Sequence, residues 1–251
     1  MAVIALYSMK GGVGKTSTAV NLAYESAARA ANTLLVDLDP QGAASFYYRV
    51  RIGKKFKSTD FLKSSKKWKP EIKGSDYNAL DTFPAAFSYR KLDIRLNEKS
   101  HSKQRLKALL KPISKQYDHI ILDCPPGLSL LADNVFRASD IVLVPMIPTP
   151  LSLLAYDRLH HYWNKQALPS DKIMLFFSMV EKRKKLHRAV MQEQREQNSA
   201  FLKTIVSYNI DVEMMGVHRE PVACFKQKSP AVAAYRALWD EILSTFNEQV
   251  K

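Results

Sequence analysis

Residues 8–17 read SMKGGVGKTS. Gly11, Gly12 and Gly14 free the backbone to turn several N–H groups inward, as a cradle for phosphate oxygens requires. Val13 and Ser17 lie in the same loop. Lys15 is placed to reach β- and γ-phosphates, and the Thr16 hydroxyl beside it is a Mg²⁺ ligand in loops of this kind. The pattern needs a strand before it and a helix after it. VIALYS (3–8) is the strand, and a helical segment from Lys15 to about Ala31 follows, adding its positive end to the cradle. One phosphate loop needs one lysine, and this stretch carries a second, Lys10.

Hydrolysis asks for a metal and a positioned water as well as a cradle. In LLVDLDPQG (34–42), Asp37 and Asp39 stand two residues apart at the end of an apolar strand, so both carboxylates leave one face. Asp39 is placed to orient an attacking water. Asp37 either holds the metal's water shell or, as a strand-end residue, caps a loop. A second apolar strand, within IILDCPPG (120–127), ends on Asp123. The two prolines after it remove backbone donors and stiffen the turn. Cys124 reads as a small packing residue and not a nucleophile.

Apolar runs alternate with helical patterns along the chain: VIALYS (3–8), TLLVDLD (33–39), YNALDTFPA (77–85), DHIILDC (118–124), DIVLVPM (140–146) and KIMLFFSM (172–179). Nearly continuous apolar strands are buried on both faces, as in a parallel sheet between two helix layers. Leu106, Leu109, Leu110, Ile113 and Tyr117 give 101–117 helical spacing, and Val232, Tyr235, Trp239, Ile242 and Phe246 form a stripe along 231–248, opened by Ser229 and Pro230. The fold class is α/β: a doubly wound, mainly parallel sheet with helices on both faces.

The 251 residues suit one domain spanning 1–251. Lys and Arg outnumber Asp and Glu 38 to 24, a formal charge of +14 that attracts polyanions. Two basic runs stand out. Residues 51–73 hold nine Lys or Arg against two acids, without firm periodicity, and read as a basic surface insertion or loop. Residues 182–188, KRKKLHR, follow a strand. Cys124 and Cys224 lie far apart without metal-ligand spacing, which suits a reduced cytosolic protein. The apolar N-terminal run is too short for a signal peptide's core, and no run approaches a membrane span, so a soluble protein that is not exported is expected.

The standard phosphate-loop spacing puts glycine where this chain has Met9. KGGVGKT instead resembles the deviant Walker A group of P-loop ATPases, the ParA and MinD partition and positioning proteins. The resemblance implies an ATPase using ATP and Mg²⁺, in which Lys10 crosses a dimer interface to phosphates on the other subunit. It makes DLDPQG the family's DxDPQG switch, with Asp39 assigned to hydrolysis, and DCPPG the Walker B strand with its DxPP continuation, so that Asp123 holds Mg²⁺ through water. The implied metal set is Thr16, Asp37, Asp39 and Asp123. The resemblance extends through 140–156, a strand and dimer-edge helix, 178–185, a post-strand loop, and 229–242, the closing helix. The base is expected near the loops after Met179 and around Val217.

Members of this group divide by partner. MinD-like proteins bind anionic lipid through a lysine-rich C-terminal amphipathic helix; RALWDEILSTFNEQVK holds three acids and two basic residues, so stable membrane binding is not expected and that reading stands second. No bridging-cysteine pattern supports the iron-sulfur relatives. ParA-type proteins bind double-stranded DNA without sequence preference once ATP has paired them. The excess charge fits that mode, with Lys182, Arg183, Lys184, Lys185, Arg188 and Arg219 as candidates and Arg183 and Arg219 nearest the family's positions. The phosphate loop starts too early for a preceding helix-turn-helix, as in the small, non-repressing ParA type. A ParB-like or other cargo adaptor is expected to stimulate hydrolysis. The cargo is a plasmid, a chromosome origin or a protein organelle such as a carboxysome, with the protein cytoplasmic and nucleoid-associated.

Overall fold

The computed structural model describes residues 2–99 and 102–250. Eight strands form one sheet: β1 (Ala2–Leu6), β2 (Thr33–Asp37), β3 (Lys73–Gly74), β4 (Leu80–Phe83), β5 (His119–Asp123), β6 (Ile141–Met146), β7 (Ile173–Val180) and β8 (Phe201–Ser207). Their order is β3-β4-β2-β5-β1-β6-β7-β8, and every neighbouring pair is parallel except β3 with β4. The helices begin with α1 (Lys15–Ala27), α2 (Ala43–Tyr47), α3 (Ser58–Lys63), α4 (Leu92–Asn97) and α5 (Arg105–Leu110). They continue as α6 (Leu130–Ala138), α7 (Pro150–Lys165), α8 (Lys185–Gln197), α9 (Ile210–His218), α10 (Val222–Phe225) and α11 (Pro230–Val250).

The continuous apolar strands have the reason anticipated for them. In β1 and its extension, Val3, Ala5 and Tyr7 join one core, while Ala2, Ile4 and Leu6 join the other. The first core lies under α4 to α8; the second is filled by α1 and α11, including Trp239 and Ile242 of the predicted terminal stripe. Strand side chains alternate faces, so a strand apolar at every position must be covered twice. The doubly wound α/β architecture is therefore present as expected.

Several local expectations need correction. The stretch 102–117 is not one helix: a 3-10 turn at Ser102–Gln104 leads into α5, and another follows at Ser114–Gln116. Pro112 has no N–H to extend α5, yet Leu106, Leu109, Leu110 and Ile113 are buried as their spacing implied. His101 lies outside the described residues. α1 stops at Ala27, with Ala30 in a left-handed turn at φ 60°. β8 was not anticipated, because Lys203, Thr204 and Ser207 interrupt its apolar run and only Phe201, Leu202 and Val206 are buried. Of the two alternatives for residues 51–73, a basic surface insertion or a loop, the segment carries α3 and two 3-10 turns, and Phe61, Leu62 and Trp68 are buried in the first core.

Both sheet edges are blunted. β3 has two residues. On β8, the Glu241 carboxylate of α11 accepts the N–H groups of Lys203 (2.6 Å) and Thr204 (2.8 Å), and Arg195 of α8 donates to the Lys203 carbonyl at 2.6 Å. No helix is long and apolar enough to cross a membrane among the described residues.

Candidate functional site

Central β1 delivers the phosphate loop. Its neighbours β5 and β2 end level with it, where Leu6 pairs with Asp123 and Asp123 with Asp37. Two carboxylates and the loop thus meet at the carboxyl edge of the sheet, where open α/β folds bind ligands. Gly12 (φ 70°) and Gly14 (φ 86°, ψ 21°) turn the loop into α1. A Cβ on Gly14 would also sit 3.0 Å from the Ser178 hydroxyl. The opening N–H groups of α1 have no earlier helical turn to receive them, which is the anion-binding end of any helix.

The two lysines differ sharply. Lys15 is buried, and its Nζ donates to the Lys10 carbonyl at 3.3 Å. Burial lowers its pKa, against the nearby negative charges led by Asp123. Lys10 is half-buried, held by its own N–H to Ser8 Oγ at 3.2 Å, and its ammonium meets no acceptor or carboxylate among the described residues.

The carboxylates also divide. Asp37 is fully buried and its oxygens are taken: Ser45 donates from N (2.8 Å) and Oγ (2.6 Å), and the Asp39 N–H donates at 3.2 Å. Burial raises its pKa to about 6 against those hydrogen bonds. Of its two anticipated tasks, loop capping is the one its contacts perform. Ser45, which sequence reasoning passed over, receives the Ala85 N–H at 2.9 Å and ties the 39–45 loop to the end of β4.

Asp39 stands half-buried at the loop's mouth, accepting the Gln41 N–H at 2.9 Å. Asp123 is fully buried, and neither of its oxygens has a hydrogen-bond donor among the described residues. Burial, then Asp37, push its pKa well up, while the nearby Thr16 hydroxyl and Lys15, neither in hydrogen-bonding geometry with it, pull it down.

A buried carboxylate without donors is costly unless a cation or ordered water completes it. The orphaned Asp123 oxygens, facing Lys15 and Thr16, therefore fit a hydrated magnesium ion. No three His, Cys, Asp or Glu side chains close into a metal cage among the described residues; Mg²⁺ needs none, because it keeps several waters and leans on substrate phosphates.

Tyr7, also unforeseen, donates to the Gly127 carbonyl at 3.1 Å and so tethers the loop after Asp123 to the strand that carries the phosphate loop. Only its place at the end of β1 could have signalled it. Beside the phosphate loop opens a cavity of about 250 Å³, lined by Gly12, Gly14, Ser17, Tyr47, Ser178, Met179, Tyr208, Asn209 and Tyr235. Met179, expected near a base, lines it in a left-handed conformation (φ 53°). Val217 does not line it and is 71% exposed; the wall instead comes from the end of β8 and the start of α9.

Among the basic candidates, Lys182, Arg183, Lys184, Lys185 and Arg188 are exposed where β7 runs into α8. Lys184 pairs with Glu181 at 2.5 Å, and Arg188 donates to the carbonyls of Lys182 and Arg183. Arg219 stands apart from them, at the left-handed end of α9. Its Nε donates to the Phe46 carbonyl at 3.1 Å, and its guanidinium lies 4.5 Å from the Phe46 ring centroid.

Residues 1–172 match the family described as "AAA domain". The chromosome partitioning protein ParA of Myxococcus xanthus is 30% identical over 250 residues, covering 96% of this chain and 87% of its own. In fold, the chain resembles an ATP complex of McdA from Cyanothece, with TM-score 0.84, 17% identity and 97% and 96% of the two chains covered. It also resembles cobyrinic acid a,c-diamide synthase of Mycobacterium smegmatis with bound ADP and magnesium, with TM-score 0.81, 21% identity and 99% and 96% covered. The phosphate loop on a central parallel strand, the family match over most of the chain and the ParA relative lead to one conclusion: the chain belongs to the ParA/MinD family of P-loop ATPases.

Proposed function

We propose that this protein is a partition or positioning ATPase in which ATP joins two copies face to face. Lys10 of each copy reaches the phosphates cradled by Gly11–Ser17 of the other. The observation that carries this reading is the contrast between the lysines: Lys15 is folded into its own loop, whereas the Lys10 ammonium, five residues earlier, has no partner among the described residues. A cation supplied from outside offsets charge developing on the transferred phosphoryl group.

Within one copy, Lys15 neutralises the bound phosphates, and Thr16 and Asp123 are the residues to hold magnesium, with Asp39 close by. When bound, the metal offsets phosphate charge and fixes the geometry of the in-line attack. Asp39 orients the attacking water, and Asp37 acts through Ser45 to shape the loop that carries Asp39. The cavity walled by Tyr47, Met179 and Tyr208 takes the nucleoside.

The exposed cations at 182–188 are the surface offered to double-stranded DNA, bound without sequence preference, and Arg219 adds to it if it leaves Phe46. Partition is the role named for the Myxococcus relative, and it supports a cytoplasmic, nucleoid-bound protein whose adaptor stimulates hydrolysis. Lys10→Ala tests the reading: nucleotide binding persists while ATP-dependent dimerisation and hydrolysis are lost. Undiminished hydrolysis by that variant refutes the trans role.

A further inference from the structure

The basic run at 51–73 is folded, and the fold explains where its charge goes. Trp68 is fully buried, its ring stacked on Phe83 of β4 (centroids 4.6 Å apart) and its Nε1–H donated to the Phe61 carbonyl at 2.8 Å. With the aromatics turned inward, Lys54, Lys55, Lys63, Lys66, Lys67 and Lys69 are exposed. The run's only two acids are spent on backbone: Asp60 accepts the Lys57 N–H at 3.1 Å, and Glu71 accepts the Gly53 N–H at 2.7 Å. No ion pair engages any of these six lysines among the described residues. A solvated charge run normally interleaves its signs; this one is a folded platform, anchored by Phe61, Leu62 and Trp68, whose unpaired exposed charges are of a single sign.

We infer that the 51–73 platform is a second polyanion-binding surface, one that engages the phosphate backbone of duplex DNA without nucleotide and without pairing of subunits. It rests on β4, whereas the 182–188 cations follow β7, five strand positions away across the sheet, or roughly 24 Å at the usual strand spacing. A monomer therefore presents two separated basic surfaces, and this one needs no partner copy to complete it. Phosphate contact is favoured over lipid because none of the exposed large apolar side chains lies within 51–73, and stable seating on a bilayer requires an apolar face to bury.

The test is anisotropy of a random-sequence duplex with nucleotide-free protein, from about 0.05 to 0.2 M salt. The variants are the quadruple Lys54→Gln, Lys55→Gln, Lys66→Gln, Lys67→Gln and, as a single mild change, Lys66→Glu. Each phosphate contact contributes about 0.9 to the slope of log affinity against log salt, so the quadruple variant lowers the slope by up to about 3.6 and the affinity by roughly tenfold or more. Lys66→Glu moves both in the same direction. Both variants keep the wild-type unfolding midpoint and ATP turnover.

Unchanged DNA affinity and slope in the folded variants overturn the inference. So does a loss of binding to phosphatidylglycerol vesicles with DNA binding intact, which would assign the platform to membranes. An absent ATP-dependent increment in DNA binding, with nucleotide-free binding intact, sinks the switch proposed for the 182–188 surface and leaves this one standing.

Discussion

Asp37 and Asp123 are register partners on adjacent parallel strands, both fully buried, yet among the described residues only Asp37 finds hydrogen-bond donors. Two neighbouring carboxylates out of water raise each other's affinity for protons. Ser45 quiets one of them by fixing it in a loop. The other stays unsatisfied, with Lys15 and Thr16 beside it, so the site is electrostatically incomplete until a cation arrives. In the function proposed above, that imbalance is what favours metal and nucleotide.

The imbalance sets a pH dependence. The folded-state pKa of Asp37, about 6, lies above its unfolded value, so the folded state binds the proton more tightly. Its favourable contribution is complete below the unfolded value and is lost as pH rises through about 6. Nucleotide-free wild-type protein should therefore gain about 1 kcal/mol of unfolding free energy, relative to Asp37→Asn, between about pH 7 and pH 5. Denaturant titrations at the two pH values measure this; parallel curves for the two proteins would remove Asp37 as the cause.

Gly14→Ala should weaken nucleotide binding by about tenfold or more, because a left-handed conformation costs a residue with a Cβ about 1–2 kcal/mol and the methyl group meets Ser178 Oγ. Adding Ser178→Gly relieves the contact and leaves the backbone cost, so calorimetry of the double variant should return only part of the affinity. Complete recovery would mean that crowding alone requires glycine there.

Asp39→Ala should keep ATP binding and lower phosphate release by roughly 100-fold or more, the range expected when a group that positions water is lost. Asp39→Asn separates this from loop capping, since the amide oxygen still accepts the Gln41 N–H. Near-normal turnover by the Asn variant would reduce Asp39 to a loop cap.

Trp68→Ala should cost about 3–5 kcal/mol of stability, as removal of a fully buried aromatic does. A change within 0.5 kcal/mol on urea unfolding would mean that 51–73 is not anchored to β4.

The parts of the fold visible in sequence were those governed by repetition of one simple rule. β1, β2, β5, β6 and β7 are apolar at nearly every position because both faces are covered, and the phosphate loop announces itself through its glycines and lysine. Edge strand β8 is interrupted by Lys203, Thr204 and Ser207 and buries only Phe201, Leu202 and Val206, so it carries no such signal. Trp68 and Phe61 were hidden among lysines, since charge density masks the few apolar anchors a short insertion needs. Ser45 and Tyr7 act through contacts that join segments far apart in the chain, 40 residues from Ser45 to Ala85 and 120 from Tyr7 to Gly127. Val217 lies at the far end of the helix whose opening residues, Val212 and Glu213, line the cavity.

Glu241 and Arg195 occupy the outward backbone groups of Lys203 on the last strand, and an occupied edge cannot template another strand. Proteins gathered at high local density on a long polyanion collide side by side, and open sheet edges would fuse such neighbours irreversibly. With this border partly covered by side chains and the far border only two residues long, crowded copies find little open backbone through which to stitch together. The pairing proposed above uses instead the face where the phosphate loop lies, through contacts that can come apart again.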